Sequence, residues 1–137
     1  MIRILVVDDV EAIRLALAAL LASVPELAVV GTCSGALQAA AAVLELLPDV
    51  VLMDVRMPHV DGIAATAALL ALAPELRVLI LSSSVDGPVV REAKRVGAVG
   101  YLLKSGEPEE LVSAVFLAVA GGQWWCEPAT EAVRHAT

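Results

Sequence analysis

Five short runs of β-branched and aliphatic residues recur along this chain, and their rhythm limits the fold more than any other feature. They are IRILVV (2–7), LAVVG (27–31), DVVLM (49–53), RVLIL (77–81) and VGYLL (99–103). Nearly continuous apolar runs of this length suit strands covered on both faces. Between them lie Ala- and Leu-rich helical segments at 11–23, 35–46, 62–73, 87–96 and 107–120. Strand and helix in alternation predict an α/β fold around a parallel sheet. The punctuation agrees: Ser34 and Asp61 stand as N-caps, Gly97 as a stop, and Pro25, Pro48 and Pro74 just past the first three helices.

The chain has 137 residues, enough for one domain with a sizeable core. A net charge of −7 with no basic stripe argues against gripping nucleic acid unaided. Mean hydropathy is high, at +0.83. Yet the uncharged stretch 27–44 is broken by Gly31, Thr32, Ser34, Gly35 and Gln38, and 111–126 by Gly121-Gly122. Neither suits a membrane span, and VVDDVE arrives too early for a signal peptide. Cys33 and Cys126 form no CxxC pair, so the expectation is two reduced thiols in a cytoplasmic protein. From Gly122 the rhythm fails, and GGQWWCEPATEAVRHAT reads as a linker or tail (122–137) after a domain at 1–121. A complete output domain does not fit in that remainder.

Polar residues gather where the runs end. Asp8 and Asp9 follow the first, Asp54 ends the third, Ser82 ends the fourth and Lys104 ends the fifth. Open α/β sheets bind ligands beyond the carboxyl ends of their strands, at a switch in strand order. With order 2-1-3-4-5, Asp54 lies between the Asp8/Asp9 pair and Ser82, and Lys104 reaches in from the next strand. Carboxylates about 4 Å apart repel by roughly 1 to 4 kcal/mol per pair in a partly wet site. A divalent cation removes that conflict, and hard oxygen donors with room for water suit Mg²⁺. Asp54 beside such an ion can attack a phosphoryl group, after which Lys104 and the Ser82 hydroxyl can hold the new negative charge.

At ILVVDDVEAIR, PDVVLMDVRMPHVDGI, VLILSSS and GAVGYLLKS the sequence resembles a response-regulator receiver domain of two-component signalling. LMDVRMPHVDG and GYLLKS are most similar to the NarL/FixJ subclass, and the likeness covers about residues 2–121. It implies a flavodoxin-like, doubly wound, five-stranded parallel sheet of order 2-1-3-4-5 with five helices. It implies that Asp54 takes a phosphoryl group from a sensor histidine kinase. Mg²⁺ would be ligated by Asp9, Asp54 and the Arg56 main-chain carbonyl, with Asp8 acting through water. Ser82 and Tyr101 would form a switch pair whose ring moves inward. Pro58 and Gly62 would shape the loop after the acceptor, and Arg56 and Ser84 would tune the acyl-phosphate lifetime. The resemblance further implies a phosphorylation-dependent homodimer, and DNA binding only through a helix-turn-helix domain absent from this chain. Two positions depart from the pattern: Ser105 replaces a common proline, and Ser83 a very small residue.

Plainer readings compete at single positions. Asp8-Asp9 alone could be a solvated turn, Lys104 a surface lysine and Tyr101 a packing residue; the register of the whole set favours the site. His59 and His135 read as solvated residues, and Trp124-Trp125 as cover for apolar surface near the last helix. Gly31 and Gly35 make no phosphate loop. A haloacid-dehalogenase-like phosphatase needs a DxD on its first strand, where this chain has Asp8, Asp9 and Val10. The remaining alternative is a stand-alone receiver or a pseudo-receiver acting only as a protein-binding module; the intact acid pocket disfavours the pseudo-receiver.

Overall fold

The computed structural model describes residues 1–57 and 60–126. Pro58, His59 and His135 lie outside the described residues. The strands are β1 (Ile2–Val7), β2 (Leu27–Cys33), β3 (Val50–Asp54), β4 (Arg77–Ser82), β5 (Gly100–Leu103) and β6 (Trp124–Trp125). The helices are α1 (Glu11–Ala22), α2 (Ala36–Leu46), α3 (Gly62–Leu72), α4 (Gly87–Val96) and α5 (Pro108–Val119). All strand pairs are parallel, in the order β2-β1-β3-β4-β5-β6. The expected 2-1-3-4-5 order is present, with a short sixth strand added beside β5.

Alternation along each strand divides the core in two. Ile4, Val6, Val50, Leu52, Leu79, Leu81 and Leu102 face one side, against Leu21 of α1 and Leu111, Ala114, Val115 and Ala118 of α5. Leu5, Val7, Val51, Met53, Val78, Ile80 and Tyr101 face the other, against Ala39, Val43, Ala65, Leu69, Val90 and Ala93 of α2, α3 and α4. Both faces being covered explains why the strand runs carry almost no polar residue.

Local signals set the helix ends. The Asp61 carboxylate accepts from the Ala64 amide at 2.8 Å, capping α3. Gly97 ends α4 at φ 106, a left-handed position that glycine adopts without a Cβ penalty. Two expectations need correction. The N-cap of α2 is Gly35, because the Ser34 amide and hydroxyl both donate to Gln38 Oε1, at 2.8 and 2.9 Å. Ser34 thus ties the approach to the helix and leaves the helix amides alone. The Gly121-Gly122 pair also does not open directly into a linker. Gly121 takes φ 93 after α5, the Gly122 amide donates to the Leu117 carbonyl at 2.9 Å, and the chain turns into β6. Cys33 and Cys126 are both buried, near the two outer strands of the sheet.

Candidate functional site

Strand β1 delivers Asp8 and Asp9 to the carboxyl end of the sheet. Asp8 is buried and Asp9 exposed. The Asp8 side chain turns back to accept the Val10 amide at 2.9 Å, which fixes the entry to α1. Arg14, one turn into α1, donates to the Asp8 main-chain carbonyl at 2.7 Å. Sequence reasoning quoted Arg14 within a motif but gave it no task. Its place six residues after Asp8, on a helix folding back over the strand end, was the available signal.

Asp54 ends β3 and is buried, with its neighbours held close. The Arg56 amide lies 3.3 Å from Asp54 Oδ1. The Gly62 amide donates to the Val55 carbonyl at 2.7 Å, drawing the start of α3 onto the end of β3. A Cβ at Gly62 would overlap the Asp54 carbonyl oxygen and stand 2.9 Å from the Val55 Cα, so this closeness requires glycine.

Lys104 completes the cluster from the end of β5. Its amide donates to the Ser82 carbonyl at 2.8 Å. Its ammonium stands 2.8 Å from Asp8 Oδ2 and 3.0 Å from Asp54 Oδ1. Each of Asp8, Asp9 and Asp54 offers a carboxylate oxygen, these atoms lying within 4.8 Å of one another. Burial raises the Asp54 pKa from its ordinary value; the Lys104 hydrogen bond opposes this and the Asp8 charge adds to it. For Lys104, burial works against the ammonium, but hydrogen bonds to Asp8 and Asp54 and their charges prevail, and its pKa rises.

One ammonium among three carboxylates leaves an excess of negative charge. Among the described residues, the close partner of the buried Asp8 Oδ2 is the Lys104 ammonium, at 2.8 Å. Hard, crowded and under-neutralised oxygens are the donor set a small divalent cation takes.

Ser82 ends β4 one residue past Leu81, the register partner of Asp54, and is buried. Its hydroxyl oxygen accepts the Ser84 amide at 3.3 Å. Tyr101 is only 1% exposed, and its hydroxyl donates to the Ser84 carbonyl at 2.8 Å. Burial is the main cause raising its pKa. The ring therefore sits inward, beneath the loop after Ser82.

Asp8, Asp9, Asp54 and Lys104 thus converge on one pocket, flanked by Ser82, with Tyr101 behind it. Residues 4–116 match the family model described as the response regulator receiver domain. The chain belongs to that family. Within it, the transcriptional regulatory protein LnrK of Bacillus subtilis (strain 168) is 38% identical over 122 residues, 89% of this chain and 56% of LnrK. The DNA-binding transcriptional activator DevR/DosR of Mycobacterium tuberculosis is 40% identical over 115 residues, 84% of this chain and 53% of that protein. Among solved structures, a LuxR-family two-component response regulator from Aurantimonas sp. SI85-9A1 superposes with a TM-score of 0.92 at 31% identity, covering 97% of this chain and 95% of that one. The signal receiver domain of the putative response regulator NarL from Mycobacterium tuberculosis gives 0.83 at 33%, over 88% and 97%. These likenesses place the receiver in the NarL/FixJ-like subclass. LnrK and DevR/DosR both carry transcription-regulator names. The chain spans a little over half the length of the sequence relatives it matches. Among the described residues, no helix is long and apolar enough to cross a membrane.

Proposed function

We propose that this receiver takes a phosphoryl group onto Asp54 from a sensor histidine kinase and thereby controls an output. The observation that carries the reading is the Lys104 ammonium lying between Asp8 and Asp54, 2.8 and 3.0 Å away. A buried carboxylate at a strand end, cradled by a cation and two further acids, is costly to maintain and chemically useful.

In the reaction, one Asp54 carboxylate oxygen forms a bond to phosphorus as the bond between phosphorus and the donor imidazole nitrogen breaks. The electron pair stays with the imidazole. Asp9, Asp54 and the Arg56 carbonyl would hold Mg²⁺, with Asp8 acting through water, and the ion would supply positive charge against the phosphoryl oxygens. Lys104 then exchanges part of its contact with Asp54 for the transferred group. The Ser82 hydroxyl, released from the Ser84 amide, donates to a phosphoryl oxygen. Ser83, exposed beside it, leaves the approach to Asp54 open. The loop carrying Ser84 follows Ser82, and Tyr101 responds through its bond to the Ser84 carbonyl.

The output is control of transcription in the cytoplasm, through phosphorylation-dependent homodimerisation and DNA binding by a helix-turn-helix output domain. The transcription-regulator names of LnrK and DevR/DosR support this part. Intact-mass spectrometry after incubation with acetyl phosphate and Mg²⁺ tests the chemistry. One phosphoryl group should add, and none in Asp54→Asn or with EDTA. Absence of both this adduct and of beryllofluoride binding would leave a pseudo-receiver.

A further inference from the structure

The strand β6 touches the switch residue directly. Its pairing with β5 registers Gly100 with Trp124 and Tyr101 with Trp125. The Trp124 amide donates to the Val99 carbonyl at 2.9 Å, and the Cys126 amide to the Tyr101 carbonyl at 3.1 Å. Cys126 is buried in the same apolar cluster as Tyr101, with Trp125 packed against it. From α4, the Lys94 ammonium stands 5.7 Å from the Trp125 ring centroid, within cation–π range. One short strand therefore meets the Tyr101 backbone, the cluster holding its ring, and α4.

The seat is built, and it is also weakly held. A Cβ at Gly100 would overlap the Trp124 carbonyl oxygen and stand 2.7 Å from Leu79 Cδ2. A glycine inside a buried strand weakens that strand, and here the close approach of β6 accounts for it. Against this, β6 has only two residues, and the buried Trp124 Nε1 has no hydrogen-bond partner among the described residues. Leaving such a donor unsatisfied costs free energy that leaving the seat would recover. A two-residue edge strand can fray locally without opening the rest of the sheet.

We infer that β6 is the element through which the state of Tyr101 is passed to the chain beyond Cys126. With the ring inward and its hydroxyl on the Ser84 carbonyl, β6 stays seated on β5. When the ring loses that position, β6 loosens from β5, and the point at which the chain passes Cys126 is released from the sheet edge. Because β6 runs parallel to β5, the chain leaves it at the carboxyl end of the sheet, the end that carries Asp54. This inference rests on the receiver reading for its trigger, though its coupling is a property of the unmodified chain.

Amide hydrogen exchange of Trp124 and Cys126, read by NMR on the full 137-residue chain, tests it. Tyr101→Phe removes the hydroxyl and with it the bond to the Ser84 carbonyl, so the β6 amides should exchange about fivefold faster, the equivalent of one ordinary hydrogen bond, while those of β1 stay unchanged. Trp125→Ala, which spares the acid pocket, should loosen β6 as well and still accept a phosphoryl group. Beryllofluoride with Mg²⁺ should slow β6 exchange in the wild type and leave Tyr101→Phe unaltered. Equal β6 exchange in wild type and Tyr101→Phe overturns the inference, whatever happens at Asp54. An adduct that forms without changing β6 overturns it too, and leaves the receiver chemistry standing. Failure to bind beryllofluoride counts against the receiver reading alone, since the Tyr101→Phe comparison still decides the coupling.

Discussion

Replacing Lys104 by methionine keeps a side chain of similar length and removes the charge. In the wild type the ammonium lies 2.8 Å from Asp8 and 3.0 Å from Asp54, whose side chains are only 1% and 5% exposed. Without it, two buried carboxylates face each other with oxygens within 4.8 Å. At an effective dielectric constant of about 20, that repulsion is about 3 kcal/mol. It falls within the range of about 3–5 kcal/mol measured when one partner of a buried ion pair is removed. Set against a typical total stability of about 5–15 kcal/mol, the variant should fold but be visibly weakened.

The penalty should depend on pH in a defined direction. Asp54 already titrates above its ordinary range, chiefly through burial. Loss of Lys104 removes the two Lys104 contributions that lower it, so the pKa rises further. A carboxyl with a raised folded-state pKa binds more protons folded than unfolded. Stability therefore falls as pH rises from the ordinary carboxylate value through the raised one, by up to about 1.4 kcal/mol per pH unit for one proton. Urea unfolding of Lys104→Met and wild type in EDTA, at mildly acidic and mildly alkaline pH, measures this. The difference should be about 3 kcal/mol on the alkaline side and shrink on the acidic side. A difference below 1 kcal/mol at both, or one growing toward acid, would refute the electrostatic reasoning.

Three further outcomes follow from local geometry. Asp61→Ala should lose about 1 kcal/mol in urea unfolding, the usual worth of an N-cap, because its carboxylate accepts the Ala64 amide. Ser34→Ala should lose less than about 0.5 kcal/mol, since Ser34 is exposed and caps nothing. Gly62→Ala should cost about 1–3 kcal/mol by overpacking, and because the overlapped atoms belong to the Asp54 backbone, acetyl-phosphate labelling should slow as well.

Much of the fold was legible because each element is locally consistent. The apolar runs end where the strands end to within a few residues, and Asp61 and Gly97 punctuate helices as their side chains or backbone require. The acid pocket was legible for another reason. Charged residues at the ends of apolar runs are expensive, so their positions carry information that the many alanines do not. What pattern alone could not supply was which donor meets which acceptor. Ser34 and Asp61 look equivalent as caps, and only the reach of Gln38 separates them. Asp86, which caps α4 by accepting the Val89 amide at 3.4 Å, passed unnoticed because Gly87 and Pro88 dominate that stretch.

The strand β6 was illegible for a deeper reason. Two tryptophans after a glycine pair carry no period, so neither strand nor helix can be read from them. Their conformation is decided by Gly100, some twenty residues earlier, which clears space for the Trp124 carbonyl. Gly62 makes the same point at the end of β3, where its missing Cβ admits the Asp54 backbone. In both places a glycine lets the backbone of another element come close. Sequence gives the residue without the neighbour, so a glycine inside a strand or at a helix start reads as weakness. Packing reveals it as a contact, one beneath Asp54 and the other beneath the strand that touches Tyr101. The two glycines therefore mark two close backbone approaches, Gly62 on Asp54 and Gly100 on Trp124.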